Sequence, residues 1–96
     1  MKVRFRSEAA ADVASAKEWY DQERLGLGHD FGEALERVIG LVADFPKAFP
    51  EVASGLRRAI LRRFPYSVYY RVSDDFVEVV ACLHSARAPD TWTSRG

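Results

Sequence analysis

The spacing of apolar residues changes period at Pro46, and that change limits the chain to a small set of folds. Before it, Phe31, Leu35, Val38, Val42 and Phe45 recur every three or four residues, the rhythm of a single helical face. Proline lacks an amide hydrogen and its ring collides with the preceding turn, so this helix is expected to end near Asp44 or Phe45. After it the period is two. Val68, Tyr70 and Val72 share one side of a strand over 67–72, and Val77, Val79, Ala81 and Leu83 share one side of a strand over 76–83. Helical and extended segments that are separated along the chain in this way point to an α+β architecture with distinct layers.

The N-terminal half supplies another helix and another strand. Val3 and Phe5 alternate with Lys2, Arg4 and Arg6, which predicts a short strand over 2–6. Ser7 is placed to cap a helix with Glu8 in its first turn, and Ala9, Val13, Ala16 and Tyr20 form one apolar stripe along it. The glycines of "RLGLGHD" interrupt that pattern, and Asp30 followed by Glu33 predicts a capping box opening the second helix. So short a link makes the helices antiparallel neighbours whose stripes must both be covered. Strands over 56–63, 67–72 and 76–83 provide the cover, with "SDD" at 73–75 as a hairpin turn and Pro65 in a connection where its missing N–H costs no ladder bond. The expected fold is therefore α+β: an N-terminal strand, then an antiparallel two-helix hairpin packed on a largely antiparallel four-stranded sheet. Its 96 residues suffice for one core and so for a single domain over 1–96.

Fourteen basic and fourteen acidic side chains cancel, so no long-range field draws the molecule to nucleic acid or to an anionic membrane. The positions do not cancel. Arg57, Arg58, Arg62, Arg63 and Arg71 lie between Leu56 and Val72 without an acid among them, whereas Asp12, Glu18, Asp21, Glu23, Asp30, Glu33, Glu36 and Asp44 lie in the helical half. A positive sheet side and a negative helix side are expected. Two readings of the arginines stand side by side. They keep the edges of half-buried strands soluble, or they form a patch facing carboxylates or phosphates, which guanidinium binds in bidentate fashion. In "RRFPYSVYYRV" the alternation turns Tyr69 and Arg71 away from the helices and onto the surface begun by Arg62 and Arg63.

Signatures of catalysis are sparse. There is no glycine-rich phosphate loop, nucleophile elbow or paired-histidine helix. His29 falls in the interhelical link, where a surface or capping role is expected. His84 ends the last strand three residues before Arg87; the imidazole is able to carry a proton near neutral pH, and the guanidinium to stabilise a phosphate in transit. The plainer reading has His84 bonded to a loop and Arg87 paired with an acid such as Asp90. Trp19 and Trp92 read as core or cover. Cys82 has no internal partner for a disulfide, and no spaced Cys and His ligands mark a metal site. The opening "MKVRFRSEAA" has no apolar core of signal length, and "FVEVVACL" is too short to span a bilayer and carries Glu78. The expectation is a cytoplasmic protein without metal, cofactor or membrane contact.

The arrangement "LRRAILRRFPYSVYYRV" followed by "VVACLHSARAPDTW" resembles the RelE/ParE superfamily of type II toxin–antitoxin toxins. The resemblance runs over nearly the whole chain. The helix "SEAAADVASAKEWY", the "FPKAFPEV" that follows the second helix, Phe-Pro-Tyr-x-x-Tyr-Tyr and His-x-x-Arg-x-Pro-x-x-Trp occur in the family's order. It implies a small toxin encoded beside an antitoxin and directed at translation or DNA topology. RelE-like members are metal-free ribonucleases that cut messenger RNA in the ribosome; ParE-like members poison DNA gyrase without evident catalysis. The residues favour the ParE-like branch, with a ribosome-dependent endoribonuclease and a partner-binding relative that has lost toxicity as the alternatives. No lysine follows Lys47 and no tyrosine follows Tyr70, which leaves His84 as the one proton carrier of the tail and no second member for acid–base work. Overall neutrality also suits a protein target better than ribosomal RNA. The partners implied are a cognate antitoxin and DNA gyrase, with ribosome and messenger RNA as the alternative. Arg57, Arg58, Arg62, Arg63, Tyr69 and Arg71 are the candidate partner-binding residues, and His84 and Arg87 the candidate catalytic ones should the chain be a ribonuclease.

Overall fold

The computed structural model describes residues 1–86. Strand β1 (Lys2–Phe5) leads into helix α1 (Ser7–Glu23) and helix α2 (Leu27–Asp44), which are followed by strands β2 (Glu51–Ala53), β3 (Leu56–Ile60), β4 (Tyr66–Val72) and β5 (Phe76–His84). The sheet has five strands in the order β1-β5-β4-β3-β2. Pairing is antiparallel except between the first and last strands, where Val3 lies beside Val77 in parallel register. The α+β expectation and the N-terminal strand hold, and the sheet is corrected from four strands to five. The additional one, β2, is too short to show an alternating pattern. It pairs with β3 through an irregular register around a turn at Gly55, whose φ of 71° suits a residue without a side chain.

Both helices pack on one face of the sheet, and their small residues set how closely they approach it. Ala9 and Ala16 are buried on α1, with Val13 and Tyr20 half-buried beside them; Phe31, Ala34, Leu35, Val38 and Val42 are buried on α2. Phe45, assigned to the same stripe from its spacing, is instead 60% exposed, because the helix stops at Asp44 and the chain turns away. The core is aromatic at one end: Phe31 stacks on Tyr20 at 5.6 Å and meets Phe64 and Tyr66 edge-on at 5.4 and 5.1 Å.

Neither expected cap forms. Arg6, not Ser7, is the residue before α1, and Ser7 lies within the first turn with its hydroxyl toward Glu8. α2 begins at Leu27, before the predicted start at Asp30, and its cap is supplied from the other helix. Asp21 Oδ1 accepts hydrogen bonds from Gly26 N at 3.2 Å and Gly28 N at 2.8 Å, satisfying amides that the helix leaves without partners. Gly26, at φ 94°, makes the reversal between the helices.

β5 departs from strict alternation. Tyr69 pairs with Ala81 but Tyr70 pairs with Val79, so Val80 is an extra residue on the β5 side. Val77 and Val79 accordingly face the helices together with Cys82, while Val80, Ala81 and Leu83 join Leu56 and Tyr69 on the opposite face. The expected single face for Val77, Val79, Ala81 and Leu83 is thereby corrected: one bulged residue moves all that follow it to the other side.

Candidate protein-binding site

Strand β4 measures the distances between the candidate residues. Its first residue, Tyr66, pairs with His84, while Arg71 near its far end pairs with Glu78. Five residues of extended chain separate those ends, roughly 17 Å. Arg57 and Arg58 pair with Tyr70 and Tyr69, so they belong to the Arg71 end. The arginines thus divide into one group far from His84 and a second, Arg62 and Arg63, in the turn before β4.

The first group is largely engaged in holding the fold. Arg57 Nη1 donates to the carbonyl oxygens of Phe49 at 2.6 Å and Lys47 at 3.2 Å, and its Nη2 lies 3.6 Å from Glu51. Arg71 Nη1 donates to Ser54 O at 3.1 Å, beside the place a Cβ on Gly55 would need. Arg58 is half-buried with its Nε out of contact with water and without a hydrogen-bond partner. Tyr69 is on the face that the alternation assigned to it, but it is only 1% exposed, so it packs instead of presenting a surface. Burial pushes its hydroxyl above the usual tyrosine range, and the Arg58 and Ser67 side chains partly offset that.

The second group is presented to solvent. Arg62 is exposed. Arg63 has a φ of 74°, a left-handed conformation unusual for a residue with a side chain. Its guanidinium reaches Asp30 at 3.6 Å and lies over the Phe64 ring at 5.2 Å. This turn ends at Pro65, which forms one wall of an open cleft of about 820 Å³ together with Asp12, Trp19, Tyr20, Tyr66 and His84.

The cleft lies where β5, still paired with β4, has no strand on its β1 side. β1 pairs with β5 only as far as Val79, and the outward amide of Cys82 is met by Asp12 Oδ2 at 3.0 Å. That carboxylate covers a backbone donor at an open sheet edge. Below it, burial and then the Asp12 charge push the Cys82 thiol up to about 12, so it remains protonated and unreactive. His84 stands edge-on to Tyr66 at 5.4 Å, and its Nδ1 accepts the Ala86 amide at 3.1 Å. In the neutral ring this places the proton on Nε2, so His84 offers a donor there. Trp19, expected in the core or as its cover, is 53% exposed at the mouth of the cleft, edge-on to Tyr20 at 5.0 Å.

His84 and the Arg62–Arg63 turn are therefore brought to one end of the sheet, away from Arg57, Arg58 and Arg71. Arg87 and Trp92 lie outside the described residues. Asp12, Tyr20 and Tyr66 were not read as site residues from the sequence. Trp19 carried a usable signal, being a large aromatic one position off the Ala9–Tyr20 stripe; Asp12 carried none, since its partner is 70 residues away. Among the described residues, no group of three or more metal-ligating side chains gathers, and no helix is long and apolar enough to cross a membrane.

Helices on one face of a mixed sheet, with exposed guanidinium and aromatic side chains at one end, define a small α+β domain. Residues 3–89 match the family of the ParE toxin of the type II toxin–antitoxin system, parDE, and the chain belongs to that family. Among solved structures it is similar to a chain of the chromosomal ParDE TA system from P. aeruginosa, with 19% identity and a TM-score of 0.66 over 88% of this chain and 95% of that one. At that identity the likeness is one of fold. The sequence has no match among curated proteins.

Proposed function

We propose that this ParE-family chain arrests growth by binding and poisoning DNA gyrase, and that a cognate antitoxin neutralises it by docking on its surface. The observation that carries this reading is the division of the cations. Acid–base cleavage of RNA needs a proton carrier and phosphate-binding cations around one scissile bond. Arg57 and Arg71 instead bond to loop carbonyls at the end of β4 opposite His84, and of the two arginines at the His84 end neither lines its cleft, Arg63 being turned to Asp30 at 3.6 Å. A binding mechanism asks no such convergence of them. The solved ParDE system that the fold resembles supports an antitoxin partner.

His84→Ala tests the reading directly. The variant is expected to remain toxic, to induce gyrase-linked DNA breaks, and to leave messenger RNA whole on programmed ribosomes. Site-specific RNA cleavage by the parent that disappears in the variant would overturn it in favour of a ribosome-dependent endoribonuclease.

The antitoxin contact is tested best at Arg62, because reversing Arg57 would also cut the bonds to Lys47 and Phe49. Arg62→Glu is expected to slow association with the antitoxin by about tenfold at low salt, with less effect at high salt. The melting temperature is expected to move by no more than about 2 °C, as for other exposed side chains. An unchanged association rate would remove Arg62 from the antitoxin face.

A further inference from the structure

We infer that the segment 87–96 is an intramolecular strap over the sheet face opposite the helices, with Trp92 anchored on the apolar cluster in that face. Leu56, Tyr69, Val80, Ala81 and Leu83 form the cluster, and each keeps no more than 5% of its surface exposed. The side of an antiparallel sheet that carries no second layer is normally solvated and polar. Here no helical residue belongs to the cluster; among the described residues, Val52 and Ala53 at its β2 end are the partly buried apolar neighbours packed against it. Ser67, paired with Leu83 on the same side, is buried as well, and Arg58 Nε is out of contact with water. The shape of the sheet does not by itself bury this face, because Ile60, on the same side of β3 as Leu56, is 61% exposed. The burial belongs to a single chain, so the cover is part of that chain.

The exit from β5 delivers the segment to the cluster. Ser85 N and Oγ both donate to Pro65 O, at 2.8 and 3.2 Å, and Ala86 N donates to His84 Nδ1 at 3.1 Å. These bonds fasten the chain at the start of β4, beside Ser67 and Leu83. Trp92 comes six residues after Ala86, a reach of up to roughly 20 Å, and Tyr69 lies only about 10 Å along β4 from Tyr66. The composition "RAPDTWTSRG" suits the surface. Trp92 is its one large apolar side chain, and a ring of that size shields several smaller neighbours at once. Asp90 is its one acid and meets a face that carries Arg58 and Arg71. The strap is a property of the chain alone, independent of antitoxin and gyrase. Lifting it would bare an apolar sheet face, so 87–96 also governs whether that face is open to another molecule.

NMR on the full chain tests the strap, with the Trp92 indole resonances assigned by their loss in Trp92→Ala. Nuclear Overhauser contacts are expected from the Trp92 ring to methyl groups of Leu56, Val80 or Leu83. Trp92→Ala is expected to raise the fluorescence of the apolar dye ANS several-fold, while slowly exchanging amides of β4 and β5 show that the sheet is intact. Contacts from Trp92 to Tyr20 or Cys82 instead would place it in the cleft beside α1 and overturn the assignment, as would the absence of contacts to any residue of the sheet. Unchanged dye fluorescence in a folded Trp92→Ala chain would overturn it too. If that variant unfolds, the contacts measured on the parent chain still decide.

Discussion

Replacing Tyr70 with alanine is expected to cost about 4 kcal/mol, most of the margin of a domain this small. The ring is fully buried between the helices and the sheet, edge-on to Phe49 at 6.4 Å, and its hydroxyl donates to Pro46 O at 2.7 Å. It therefore fills the core and also fastens the segment that leaves α2. Tyr70→Phe separates the two contributions, because it keeps the ring and removes only the bond to Pro46, for an expected loss of about 1 kcal/mol. Urea unfolding of both variants, with slopes compared to exclude a change in the denatured state, measures the difference. Equal losses in the two variants would mean that the hydroxyl, not the buried ring, carries the stability.

Gly28→Ala is expected to lower stability by about 2–3 kcal/mol, although alanine is the better helix former. A Cβ at position 28 would stand 2.6 Å from the Lys17 carbonyl oxygen and 2.8 Å from the Asp21 carboxyl, contacts that only separation of the helices can relieve. That separation would also strain the Asp21 cap on α2. The control is Gly40→Ala on the exposed side of the same helix, where a Cβ meets nothing within 4 Å. There the usual propensity gain of roughly 0.5–1 kcal/mol is expected. For a domain of this size each kcal/mol moves the melting temperature by about 4–8 °C, so thermal unfolding resolves opposite signs. A stabilised Gly28→Ala would show that the two helices are not held at this distance in solution.

The charge pattern was legible as a sum and not as a site. Arg57, Arg58, Arg62, Arg63 and Arg71 read alike along the chain, yet Arg57 and Arg71 bond to carbonyls of neighbouring turns while Arg62 is turned outward. Whether a guanidinium serves the fold or a partner depends on which acceptors lie within reach, and those belong to distant residues: the Ser54 carbonyl for Arg71, the Asp30 carboxylate for Arg63. The same reason hides the cleft. Its walls come from α1, from the turn at Pro65 and from the end of β5, and no local spacing relates Trp19 to His84.

Local chemistry was sufficient for the elements themselves. Helical periodicity placed the stripes of α1 and α2, Pro46 ended the second helix, and alternation marked β4 and most of β5, because each depends on side chains a few residues apart. What required the tertiary structure was every feature settled by a partner far along the chain. The start of α2 was set by Asp21 on the other helix instead of by Asp30, β2 existed only through its pairing with β3, and β1 found its place beside β5. The bulge at Val80, which moved Ala81 and Leu83 off the expected face, was fixed by register against β4. Backbone propensity acts over one turn or one pleat, whereas caps, registers and clefts are decided by whichever donors, acceptors and surfaces folding brings together.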